Sequence, residues 1–278
     1  MTSRCFFIFG INYHVSMQNQ PIGIFDSGIG GTTIWKEITS LLPHEDTIFL
    51  ADSKYAPYGK RSKEEITTLS IKNTEKLLEL NCKIIVVACN TATTNAIKTL
   101  RSKYDIPIIG IEPAIKPAAI HTKTKKVGIL ATKGTLSSEL FVKTSDLYTQ
   151  NIEVIEVVGT GLVELIEKGK INTDEMYTLL HSYIIPMLDK NIDHLVLGCT
   201  HYPYLIPLLK KMLSDQIIII DSGKAVARQT KAVLIANHLL NLDSKIGKHT
   251  LYTNGNADIL KNILHKNTLT HTVKALDF

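Results

Sequence analysis

Two cysteines stand at the ends of apolar runs of the same design. One run is Lys83-Ile84-Ile85-Val86-Val87-Ala88-Cys89-Asn90-Thr91. The other is Asp193-His194-Leu195-Val196-Leu197-Gly198-Cys199-Thr200-His201. Aligned on the cysteines, both begin at an asparagine, Asn81 and Asn191. Each run has the length of a buried strand, then a small residue, a thiol and hydrogen-bonding side chains. Matched thiols at two strand ends predict one site with a sulfur on each side. A thiolate that takes a proton from one face of a carbon, and a thiol that returns one to the other face, invert that centre. The reverse reaction uses the same pair with roles exchanged. A single buried cysteine after a strand reads more simply as packing, and Cys5 and Cys82 are read that way. Two matched positions, each followed by polar residues, favour chemistry.

The neighbouring residues suit this reading. Helices are expected to start just after each cysteine, where their free N–H groups would hold a carboxylate and lower the thiol pKa from ~8.5. Asp26 and His201 are candidates to assist the nearer thiol, although an N-cap aspartate and a capping histidine are the plainer alternatives. Ser27, Asn90, Thr91 and Thr200 are candidates to hold a substrate's charged ends. The run Asp26-Ser27-Gly28-Ile29-Gly30-Gly31 has no phosphate-binding lysine and lacks the dinucleotide spacing; it reads as a tight turn where glycine permits positive φ. Tyr58-Gly59, in the loop 52–59, either closes over a ligand or is ordinary loop. Cys199-x-His201 lacks the Cys-x-x-Cys pairing of zinc and redox sites, so no metal is expected.

These residues need elements to hold them. Short β-rich runs at 22–25, 47–51, 83–88, 107–111, 127–131, 152–158, 194–198 and 216–220 alternate with helical stretches such as 62–80, 92–103, 173–189 and 203–213. That alternation predicts parallel βαβ units. The halves repeat: Ile22-Gly23-Ile24-Phe25 matches Val127-Gly128-Ile129-Leu130 at an offset of 105, and the cysteine strands match at 110. Ile108-Ile109-Gly110-Ile111 and Ile218-Ile219-Ile220-Asp221 also read as offset by 110. Duplication is the simplest account. The predicted fold is α/β, with two similar parallel-sheet domains related by a pseudo-two-fold axis and the active site in the cleft between them. Residues 21–112 plus 223–278 form the first domain and 113–222 the second. Within 223–278 a helix is expected near 223–240, a strand at 250–253, a helix near 256–265 and a last run at 270–276.

The bulk properties exclude other classes. A net charge of +5 arises from 31 basic and 26 acidic residues mixed along the chain, with no basic block interleaved with aromatics, so no nucleic-acid partner is indicated. Lys123, Lys125 and Lys126 read as a solvated turn. Four cysteines in 278 residues are no disulfide framework and fit a reducing cytoplasm. No apolar run approaches the ~20 residues of a membrane span. Residues 1–20 read as an N-terminal extension, poorly ordered, with 1–16 an upstream addition or a misplaced start before Met17.

Four blocks together resemble the glutamate racemase family: FDSGIGG at 25–31, APYGKRS at 56–62, ACNTATT at 88–94 and GCTHYP at 198–203. They occur in the family's order, over about residues 21–278. The resemblance implies two α/β domains around a cleft, with the C-terminal part returning to the first. It implies interconversion of L- and D-glutamate without pyridoxal phosphate or any other cofactor, for peptidoglycan synthesis. It makes Cys89 and Cys199 the proton donor/acceptors. It puts Asp26, Ser27, Tyr58, Gly59, Asn90, Thr91, Thr200 and His201 on substrate-contacting positions, with Thr132 and Thr135 weaker candidates. Thr32, and Gly159-Thr160, depart from the family pattern. The rival readings are an aspartate racemase with the same chemistry and a non-catalytic small-molecule binder. A homodimer is the expected assembly.

Overall fold

The computed structural model describes residues 17–265 and 269–278. Among these residues ten strands fall into two wholly parallel sheets. The larger has the order β10-β9-β2-β1-β3-β4, from β1 (Ile22–Asp26), β2 (Thr47–Ala51), β3 (Ile84–Val87), β4 (Ile108–Gly110), β9 (His249–Thr253) and β10 (His271–Ala275). The smaller has the order β6-β5-β7-β8, from β5 (Lys126–Ala131), β6 (Glu153–Val158), β7 (His194–Gly198) and β8 (Ile218–Ile220). The central strands β1, β3 and β7 are buried along their whole length, as continuous apolar runs covered on both faces should be. All eight strands expected before residue 224 form, with ends within two residues of the predicted ones.

Helices connect them. In the first unit they are α1 (Thr32–Leu41), α2 (Lys63–Glu79) and α3 (Asn90–Lys103). In the second they are α4 (Ile115–His121), α5 (Lys133–Leu136), α6 (Glu139–Tyr148), α7 (Leu162–Glu167), α8 (Asp174–Leu188) and α9 (Ile206–Met212). After β8 the chain returns through α10 (Gly223–Ala236), packed on α1, and α11 (Ala257–Leu264) lies between β9 and β10. The two crossings are tied together where Ser222 Oγ donates to Glu112 O at 2.5 Å.

The repeat is visible in the pairing. Ile22 lies beside Thr47 and Ile84, and Val127 beside Val154 and His194. Both cysteine strands follow a helix and an asparagine of positive φ, 57° at Asn81 and 61° at Asn191. Each asparagine amide returns to the last helical turn, at Leu78 O (2.9 Å) and Leu188 O (2.8 Å). Asparagine tolerates that left-handed geometry better than other residues with a Cβ.

The strands β4 and β8 begin 110 residues apart, at Ile108 and Ile218, as the repeat predicts. Their registers differ by one residue: Ile85 pairs with Ile108, but Leu195 pairs with Ile219. The stretch 1–20 was expected to be poorly ordered. Residues 1–16, and with them the Cys5 reading, lie outside the described residues. Met17, however, packs on the core, and Gln18 O accepts from the buried Lys83 Nζ at 2.5 Å. Lys83 also pairs with Glu45, at 2.5 Å. A buried ammonium needs such partners, so the chain is held there. No helix among the described residues is long and apolar enough to cross a membrane.

Candidate active site

The C-terminal ends of β1, β3, β5 and β7 face each other across the seam between the units, where parallel sheets present ligand sites. A narrow cavity lies there, of about 10 Å³, room for about one water molecule. Cys89 and Cys199 both line it, one from each unit. Ser27, Tyr58, Gly59, Asn90, Thr91, Thr200 and His201 share its wall. Asp26 is fully buried beside it.

Cys89 caps α3: the Ala92 amide donates to Sγ at 3.4 Å, and Sγ–H points to Ser27 Oγ at 3.4 Å. The expected lowering of this thiol does not occur. Burial raises it well above the ordinary thiol range, and the Asp26 charge adds to that; Ser27 and the Ala92 amide only partly oppose them. Desolvation outweighs one helix end. No helix starts directly after Cys199. A short 3₁₀ turn, Tyr202–Leu205, intervenes before α9, because Pro203 and Pro207 lack the N–H groups an α-helix would use there.

Cys199 Sγ lies 3.7 Å from His201 Nδ1, and His201 Nε2 lies 2.5 Å from Glu167 Oε1. Burial disfavours a charged imidazole, yet the Cys199 sulfur and Glu167 together raise His201 well above its ordinary value. Glu167 also accepts from the Ile29 amide at 2.7 Å and from Ser53 Oγ at 2.8 Å, so it joins the units. Sequence reasoning missed it. The only cue was an acid ending the apolar run Leu162-Val163-Glu164-Leu165-Ile166.

Asp26 accepts from the Gly28 amide at 3.0 Å and from Thr200 Oγ1 at 3.1 Å. Burial lifts its carboxyl to about 6, against the pull of His201 and the Gly31 amide. The glycine run is required by close approach, since none of its glycines has positive φ. A Cβ on Gly28 would sit 1.9 Å from Glu167 Oε1, and one on Gly30 would sit 2.2 Å from His201 Nδ1.

Tyr58 does not swing over the cavity. It is buried, and its hydroxyl donates to Asp52 at 2.5 Å and accepts from Asn73 Nδ2 at 3.0 Å. Gly59 lets the same loop touch Thr132, 2.8 Å from where its Cβ would stand. Thr91, Thr132 and Thr135 bond to one another across the seam at 2.8–3.2 Å. Asn90 Nδ2 is buried without a partner among the described residues, a donor free for a ligand oxygen. The departures from the family pattern are accommodated locally: Thr32 Oγ1 meets Tyr204 OH at 2.5 Å, and Tyr202 OH donates to Gly159 O at 3.2 Å.

The model of the Asp/Glu/Hydantoin racemase family matches residues 32–230. A glutamate racemase from Herpetosiphon aurantiacus is 44% identical over 239 residues, 86% of this chain and 94% of that protein. The crystal structure of glutamate racemase isoform RacE1 from Bacillus anthracis superposes with a TM-score of 0.82 at 31% identity, covering 94% of this chain and 98% of that one. Escherichia coli glutamate racemase in complex with L-glutamate and the activator UDP-MurNAc-Ala gives 0.81 at 30% identity, covering 92% and 98%.

Proposed function

The chain belongs to the Asp/Glu/Hydantoin racemase family, and from that premise we propose how its own residues act. It interconverts L- and D-glutamate, and the D-glutamate serves peptidoglycan synthesis. Cys89 and Cys199 exchange the α-proton on opposite faces of the substrate. One thiolate takes the proton, the electron pair passes into the α-carboxylate, and the other thiol reprotonates the carbon. The observation that carries this reading is that both sulfurs line one small cavity, each supplied by a different unit. A cavity that excludes water protects the carbanion from random protonation.

The surroundings divide the labour. Burial, and after it the Asp26 charge, keeps Cys89 protonated at rest, so its thiolate, once formed beside the substrate ammonium, is a strong base. His201, oriented by Glu167, is placed to pass a proton to or from Cys199. The Asn90 amide, Ser27, Thr91 and Thr200 offer donors to the carboxylates, with Tyr58 and Gly59 as the wall.

The finer parts of the reading are proposals of the same kind. The units are bounded at 21–112 plus 223–278 and at 113–222, as the sheet membership supports. The location is the cytoplasm, where thiols stay reduced. The assembly is a homodimer, for which the exposed Ile120, Val142 and Leu147 on α4 and α6 supply apolar surface.

Incubation of L-glutamate in heavy water tests the chemistry. The native protein should yield D-glutamate labelled at the α-carbon, and Cys89→Ala and Cys199→Ala should each abolish racemisation. Undiminished racemisation by either variant rejects the two-thiol mechanism. Turnover of aspartate at an equal rate would reject glutamate as the preferred substrate.

A further inference from the structure

The cavity is too small for an amino acid, so something must move to admit one. Helix α7 supplies part of its wall. Val163 of this helix faces both the cavity and a vestibule of about 50 Å³ outside it. A glycine in the left-handed region stands on each side: Gly161 at φ 87° and Gly169 at φ 72°. A Cβ on Gly169 would meet nothing within 4 Å, so that position needs glycine for its backbone geometry and not for space. The six-residue helix between them carries two acids to the opposite unit. Glu167 takes the Ile29 amide and Ser53 Oγ. Glu164 forms an ion pair with Lys60 of the APYGKRS block. Lys60 and Lys133 are the cations on the vestibule wall.

We propose that α7 is a lid hinged at Gly161 and Gly169 and latched by the Lys60–Glu164 pair, and that Lys60, released from Glu164, meets the incoming carboxylate of glutamate. Lys60 is 63% accessible, whereas Glu164 is 27% accessible and its Oε1 is buried. A pair whose lysine end stands in water is weaker than a fully buried one and can part. An anionic substrate at the vestibule competes with Glu164 for Lys60, so its arrival itself loosens the latch. The admission role rests on the racemisation reading; the latch does not.

The test reads the latch without turnover. Hydrogen exchange of the Ile29 amide is followed by NMR in the full chain without ligand, because that amide is bonded to Glu167 of the lid. Lys60→Ala and Glu164→Ala should each speed its exchange about threefold, the scale of a part-exposed ion pair. The double variant should exchange no faster than either single one. The charge swap K60E/E164K should restore the slow rate. Unchanged exchange in both single variants, or additive effects with no recovery in the swap, overturns the latch. A latch that passes while glutamate is not racemised leaves the lid standing and rejects the substrate.

Discussion

At the scale of single residues, Asp26 and Glu167 carry separable consequences. The Asp26 carboxyl is raised from 3.8 to about 6 in the folded protein. Between those values the folded state holds a proton that the unfolded state releases. Stability from this group therefore falls as pH rises through that window, and the cost stands above about pH 6, of the order of 2–3 kcal/mol. Asp26→Asn removes the titration. Its Tm relative to the native protein should be several degrees more favourable at pH 8 than at pH 4, while racemisation falls. Equal Tm differences at the two pH values, by calorimetry, would show that Asp26 is not the buried acid described. Glu167→Gln tests the other thiol's support. It leaves the Ile29 amide an acceptor in the Gln oxygen and sets the Gln amide nitrogen to donate to Ser53 Oγ, but it takes the anion from His201. The kcat/KM should drop about 10²-fold, the lower range for an impaired acid–base group. Enantiomers are equal in energy, so that drop must be the same in both directions; kcat and KM separately should not be. Progress curves from each enantiomer by circular dichroism measure this, and an unchanged kcat/KM would remove Glu167 from the site.

At the scale of elements, the glycine turn after β1 and the short helix α7 fit each other with no room to spare. Gly30→Ala would place a methyl 2.2 Å from His201 Nδ1. A ring fixed by Glu167 cannot yield easily, and overpacking of this kind costs about 1–3 kcal/mol. The expected result is a folded protein with racemisation reduced about 10²-fold or more, since misplacement near 1 Å has that effect. Near-native activity would mean that the turn and His201 separate during catalysis. These same elements show what the sequence could and could not reveal. The cysteine strands were legible because buried parallel strands must be uninterrupted apolar runs, and the asparagines before them because few residues accept positive φ. Glu167 was not, because its partners Ile29, Ser53 and His201 come from distant segments and no local spacing encodes that meeting. The raised Cys89 thiol was misread for a related reason. A helix N-terminus is local and visible, whereas the closure that desolvates the sulfur belongs to the tertiary structure.

At the scale of the whole molecule, one of the three hydrophobic clusters among the described residues spans both units, with Ile29 and Ile34 of the first and Leu162, Val163, Leu197 and Tyr202 of the second. The closed form is thus the packed form, and the site is complete only when the units meet. Substrate that binds between them binds the folded protein and not the unfolded chain, so it should stabilise the protein by mass action. At a glutamate concentration a hundred times Kd the gain is about 2.7 kcal/mol, or a Tm rise of several degrees. Binding and chemistry use different atoms here, which makes the effect diagnostic. The carboxylates are expected to rest on Asn90, Thr91, Ser27 and Thr200, whereas the thiols act on the α-carbon. Cys89→Ala should therefore keep most of the glutamate-dependent Tm rise while losing racemisation. Asn90→Ala should lose most of the rise, because it removes a buried side-chain donor of the cavity wall that is unpaired among the described residues. Thermal scans of both variants with and without glutamate decide it. If Cys89→Ala loses the shift and Asn90→Ala retains it, the carboxylates are not held where the cavity's free donors lie, and the placement of the substrate between the two sulfurs must be abandoned.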